Sequence, residues 1–195
     1  IPEKYTIETS LPKCKGTDYT KWTDCYGEYK FPRIEYKGEW KDGAFHGQGI
    51  LKEAWGDVYV GSFVMNIAEG LGRQDIYQYG EMVGSFGGEL KNDYLNGQGY
   101  YEIDGCRYEG FFIDHQLNGE GKITCDYGYL AKGLFKDDLL NGQGFESWEN
   151  GTVYKGEYKE GYLNGEGEKN FADETKEFGT FLDGDLNGFG TTIWD

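Results

Sequence analysis

One pattern of residues returns every 22 or 23 positions along this 195-residue chain, and it limits the fold more than any other feature. Tyr36-Lys37-Gly38-Glu39-Trp40 is followed by His46-Gly47-Gln48-Gly49, and Tyr154-Lys155-Gly156-Glu157-Tyr158 by Asn164-Gly165-Glu166-Gly167. A fixed period of this length belongs to repeat architectures, whose units are too small to bury a face alone and stack on their neighbours. Such an array presents surface and does not naturally enclose a reaction chamber.

With the first aromatic residue of each copy at offset zero, the pattern reads aromatic, any, Gly, any, aromatic. A turn residue follows at offset seven, Asn-Gly at ten and eleven, and Gly at thirteen. Copies begin at Tyr36, Tyr59, Phe86, Tyr108, Ala131, Tyr154 and Glu177. The 27-residue step from Tyr59 to Phe86 contains a doubled start, and a bulge or an extended turn is expected to absorb the surplus. Offsets zero, two and four share parity, so in a strand they project to one face. The glycine between the rings leaves room for them or for a close neighbour. Residues 49–55 and 144–148 read as returning strands. Asp42-Gly43, Asn92-Asp93, Asp137-Asp138, Glu160-Gly161 and Asp183-Gly184 read as turns, since Asn, Asp and Gly tolerate left-handed backbone. Each copy is therefore expected to be a β-hairpin.

The 33 glycines against 3 prolines would suggest low complexity without a period. Here they fall at fixed offsets, and 17% aromatic residues are too many for a disordered polar tract. The net charge of −16 argues against nucleic acid, which basic surfaces attract through counterion release, and against anionic membranes. No stretch approaches the ~20 apolar residues that span a bilayer as a helix. The chain begins at Ile1, which fits removal of an upstream segment such as a secretion signal.

The phrase Tyr-x-Gly-x-Trp-x-x-Gly-x-x-x-Gly-x-Gly from Tyr36 to Gly49 resembles the MORN (membrane occupation and recognition nexus) repeat, with seven copies over about residues 36–190. Ala131 and Glu177 depart from the opening tyrosine, and His46 and Glu69 from the Asn before glycine. The resemblance implies an all-β fold: a single elongated, twisted antiparallel sheet of consecutive hairpins, curved like a gutter, with fourteen strands from the seven copies. It divides the chain into an N-terminal arm and degenerate capping repeat over 1–35 and the array over 36–195. Cys14, Gly16, Asp24, Cys25 and Gly27 keep the spacing of a worn eighth copy. Residues 1–13 are expected as a lead-in strand or arm over the first edge, and Thr191–Trp194 as a final strand.

Four cysteines lack the spacing of a zinc site. If cross-strand partners sum to offset fifteen, Cys106 at minus two faces Cys125 at seventeen, within reach of a disulfide. Cys14 and Cys25 would close a short loop in the cap, with no register behind that pairing. Paired cysteines favour a periplasmic or secreted location, and reduced ones the cytosol.

The sequence carries no recognisable catalytic constellation. His46 takes the place of an Asn, His115 falls in a turn, and the serines at 10, 62, 85 and 147 have no histidine near them in the pattern. The Gly-x-Gly pairs never extend to a nucleotide-binding loop. Asn150-Gly151-Thr152 matches a glycosylation acceptor but equally a turn. Acidic residues Asp42, Asp93, Asp114, Asp138, Glu160 and Asp183 could line one rim, without the six to eight converging oxygens that calcium needs. No metal or cofactor is expected.

The aromatic stripe remains: Tyr36, Trp40, Tyr59, Phe63, Phe86, Tyr108, Phe112, Tyr154 and Tyr158, with Phe135 and Phe181 in the same positions. These rings either form the core or leave a groove that grips a peptide through aromatic anchors. The expected function is a non-catalytic scaffold that binds a protein or peptide segment, basic or amphipathic to suit the charge, on this acidic-rimmed face. The alternatives are a membrane- or phospholipid-associating module and an accessory region of a larger enzyme. Open sheet edges at Ile1 and Asp195, or back-to-back faces, would allow self-association.

Overall fold

The computed structural model describes residues 4–194; Ile1 to Glu3 and Asp195, with the edges expected there, lie outside the described residues. Fifteen strands form one antiparallel sheet in chain order, with no α-helix among the described residues. The strands are β1 (Cys25–Lys30), β2 (Ile34–Lys41), β3 (Ala44–Glu53), β4 (Val58–Val64), β5 (Ile67–Gln78), β6 (Glu81–Lys91), β7 (Tyr94–Ile103), β8 (Cys106–Ile113), β9 (Gln116–Cys125), β10 (Leu130–Lys136), β11 (Leu139–Ser147), β12 (Val153–Lys159), β13 (Tyr162–Asn170), β14 (Lys176–Leu182) and β15 (Asp185–Ile193). The seven copies supply the seven hairpins from β2 to β15. The chain divides into two compact units, Ile1–Ile103 and Asp104–Asp195.

Within each hairpin the glycine at offset two faces the glycine at thirteen, as in Gly38↔Gly49, Gly110↔Gly121 and Gly156↔Gly167. From there outward, partners sum to fifteen as the pattern predicts, and Cys106 faces Cys125. Nearer the turn the prediction fails, because offset four faces nine and the sum is thirteen: Trp40↔Phe45, Phe112↔Leu117, Phe135↔Leu140. Leu134 alone stands against Asn141, Gly142 and Gln143, so two extra residues are absorbed as a bulge. The Asn-Gly signature therefore marks a bulge inside the returning strand, which begins right after a two-residue turn. An insertion of two keeps the alternation of faces, so the rings stay on one side. In the long copy, β5 and β6 are extended to 12 and 11 residues, with a register shift between Ile76 and Tyr77.

The face carrying offsets zero, two, four and nine, here the ring face, holds the core. In the first unit Tyr36 stacks on Phe45 at 3.9 Å between centroids, and Trp40 and Phe63 meet these rings edge-on. In the second unit leucines replace the second ring, with Leu117, Leu140 and Leu163 buried opposite Phe112, Phe135 and Tyr158. Successive hairpins are tied at their turns. The backbone N–H of Asn66, Asp93 and Asp138 donates to the carbonyls of Phe45, Ala68 and Leu117 of the preceding hairpin. The side-chain oxygens of the same three residues accept from the same partners' N–H groups at 2.7–2.8 Å.

Candidate functional site

The stripe lies where the pattern puts it, on one face, but it is not open. Tyr36, Trp40, Tyr59, Phe63, Phe86, Phe112 and Tyr158 are buried, and Tyr108 and Tyr154 are half-buried. A ring at 0% exposure, as Tyr36 is, has no area left to give a partner. Of the two roles open to the stripe, these seven rings fill the core role. The glycine pairs explain the packing: a Cβ at Gly38 or Gly49 would lie 2.4 Å from the Tyr36 hydroxyl oxygen. The ring lies flat over both backbones, and its hydroxyl donates to the Glu39 carbonyl at 2.9 Å. Burial pushes the Tyr36 and Tyr59 phenols well above the ordinary tyrosine range.

The acidic rim is largely turn chemistry. Asp42, Asp93, Asp114, Asp138, Glu160 and Asp183 all have positive φ, and the Asp93 and Asp138 carboxylates are used in the turn ties. His115 is a turn residue with φ of 68°, and burial pulls its imidazole below the usual range against the opposing pull of Asp114. Asn150 accepts from the Thr152 backbone at 3.0 Å, the turn role of that triplet. Both cysteine pairs are bonded, Cys14–Cys25 and Cys106–Cys125.

The feature that sequence reading did not place is the path of the N-terminal arm on the opposite side of the sheet, the counter-face. Residues 12–14 run beside the free edge of β1, through Cys14 N–H to the Tyr26 carbonyl and Tyr26 N–H to the Pro12 carbonyl. Residues 4–11 then cross the strands. Thr9 donates to Glu39 on β2, and Tyr5 donates to Asp75 on β5 at 2.6 Å. Four residues of extended chain cover about 14 Å, the same as three strand spacings of ~4.8 Å, so the arm lies perpendicular to β2–β5. Tyr5, Ile7 and Thr9 are the less exposed residues, alternating with exposed Thr6, Glu8 and Ser10. That alternation in Tyr5-x-Ile7-x-Thr9 was the available signal.

Beneath the arm Ile50 is fully buried, Val58 nearly so, and Asp75 is 2% exposed although it is a carboxylate. Burial would raise the Asp75 pKa, but hydrogen bonds from Tyr5 and Arg73 outweigh it and hold the carboxyl below its usual range. Arg73 Nε lies 2.8 Å and Lys4 Nζ 3.5 Å from its oxygens. A charged group this deep is stable only when paired and hydrogen-bonded, and the arm supplies that pairing.

A sheet of consecutive two-stranded units, with its rings packed along one face and its own N-terminal arm on the other, defines a hairpin-repeat protein. The MORN repeat matches residues 36–58, 59–75, 108–126, 132–153, 154–176 and 178–195, more than half of the sequence, so the chain belongs to the MORN-repeat family. Alsin of Rattus norvegicus is 30% identical over 125 residues, 58% of this chain and 7% of that protein. Alsin of Homo sapiens is 31% identical over 117 residues, 54% of this chain and 7% of that protein. The chain thus corresponds to a small fraction of these relatives' length. MORN repeats are protein- and membrane-interacting modules, generally non-catalytic.

Proposed function

We propose that this chain is a non-catalytic docking scaffold whose counter-face holds an extended polypeptide segment across its strands. The observation that carries the reading is the arm itself, an extended segment seated across β2–β5 that buries Ile50, Val58 and Asp75. Its binding logic is a side chain every second residue toward the sheet, a buried carboxylate facing a lysine and a tyrosine, and apolar contacts between. Strand pleating repeats this surface from hairpin to hairpin, so partners are read by alternate side chains laid across the repeats. The ring face is the rigid support.

The experiment is a titration in trans. A synthetic peptide of residues 1–13 is added to the full chain carrying Lys4→Ala and Tyr5→Ala, which loosens the resident arm. The expected result is saturable binding to this variant and much weaker binding to the unmodified chain, whose own arm competes. If the peptide ignores both chains, the counter-face does not recognise extended segments and the reading fails.

A further inference from the structure

Resting on the docking reading above, we propose that the counter-face of β9–β12 takes an extended acidic segment of a partner protein, laid across the strands as the arm is laid across β2–β5. By repeat position, Ile50, Val60, Arg73 and Asp75 under the arm correspond to Lys122, Lys132, Phe145 and Ser147 in the second unit. The groove at this second position is open, lined by Glu120, Lys132, Leu134, Gln143 and Phe145 with the backbone of the glycine pairs.

Its four positions carry two lysines and no acid, where the first carries Arg73 against Asp75; the one carboxylate in its lining is Glu120, opposite Leu134. The register places Lys122 directly opposite Lys132, Lys132 opposite Phe145, and Phe145 opposite Lys155, so three lysines and one ring form a row across four strands. Like charges directly opposed on neighbouring strands are destabilising, and this chain carries only 19 Lys and Arg to place. Lys155 is held by Glu168 at 2.5 Å, and Glu109, opposite Lys122, is engaged by Arg107 at 2.8 Å. Among the described residues Lys122 and Lys132 have no ion pair, and Lys132 Nζ rests 5.0 Å above the Phe145 ring. The Asp75 that receives Lys4 in the first groove is replaced by Ser147.

An extended occupant crossing β9–β12 presents inward side chains at every second residue, about 7 Å apart. A carboxylate at one such position meets the Lys122–Lys132 pair and relieves its repulsion. An aliphatic or aromatic side chain at the next covers Phe145 and the 41%-exposed Leu134. A basic segment would meet the lysines unpaired. The −16 of the whole chain draws basic partners elsewhere, whereas here Lys122 and Lys132 outnumber the single carboxylate of the groove, Glu120.

The test uses the full 195-residue chain, isotope-labelled, and fluorescent peptides of about nine residues, long enough to cross four strands. One peptide alternates Glu and Leu, and a second carries Lys for Glu. The expected result is binding of the Glu peptide with amide shifts in β9–β12, weakened about tenfold by Lys132→Glu as for loss of a charge pair at an interface. Lys132→Gln should weaken it less, and Lys91→Glu in the first unit should leave it unchanged. Equal binding of the Lys peptide, shifts confined to other strands, or indifference to Lys132→Glu would overturn the proposal. So would binding of phosphatidylserine vesicles or an oligonucleotide without binding of the Glu peptide. If the arm peptide binds in trans while the Glu peptide does not, this inference alone falls; if the arm peptide fails, the docking reading falls with it.

Discussion

At Gly38 and Gly49 one methyl group separates a fitting hairpin from an overpacked one, because the Tyr36 ring lies on both backbones. Gly38→Ala should lower unfolding free energy by about 3 kcal/mol, the upper end for overpacking, read as a shift in denaturant midpoint. A change below about 0.5 kcal/mol, ordinary for a surface site, would mean that the ring is not seated there. The same burial sets an alkaline limit. Tyr36, Tyr59 and Tyr158 have phenols raised by burial. In the unfolded chain they ionise near pH 10, and in the folded chain only above it, so their contribution is complete below about pH 10 and lost as pH climbs toward the folded values. Midpoints should therefore be flat from pH 8 to 9 and fall steeply beyond 10. Flat behaviour to pH 11.5 would contradict the assignment of these tyrosines to the core.

The arm is the element whose stability is separately adjustable. Asp75→Asn should loosen the arm, read as a fall in the NMR backbone order parameters of residues 5–11 toward those of a flexible segment, with little effect on β8–β15. Acid should act the same way. Because the folded Asp75 pKa is depressed, its contribution is present above the ordinary aspartate value of about 4 and is lost as pH falls through the lower folded value. The hairpins were legible in the sequence because parity and turn residues leave few choices: offsets zero, two and four lie on one face as read. Two local details were not. The bulge hides its two extra residues inside Asn-Gly, a dipeptide that equally signals a turn, and the buried leucine at offset nine, as in Leu117 and Leu140, is masked by the turn signal beside it. The arm escaped because nothing in a short alternating segment such as Tyr5-x-Ile7-x-Thr9 says which face it will cross.

For the whole molecule, repeat stability is a sum of hairpins and their interfaces, to which each unit adds one disulfide. Cys106→Ala with Cys125→Ala should destabilise the second unit by about 3 kcal/mol, the amount for closing a loop of this length. Thermal unfolding followed by Trp148 and Trp40 fluorescence in single-tryptophan variants would place the loss in the second unit. An equal shift at Trp40 would show that the units unfold as one. The Cys106–Cys125 pair was readable from register alone, because the sum of fifteen holds at the strand ends where those residues lie. Which face stays open was not readable, since a pattern of rings and glycines is compatible with a groove or with a core. Only the packing of Leu117, Leu140 and Phe45 against the rings decides it.

Residue-resolved oxidative footprinting of the full chain tests this division of faces most directly. Trp55, Tyr127 and Tyr162 should be modified rapidly, Tyr36, Trp40 and Phe112 should be protected, and the Glu-Leu peptide should then shield Leu134 and Phe145. Rapid modification of Tyr36 and Trp40, slowed by a bound partner, would instead return the docking site to the ring face and contradict the account.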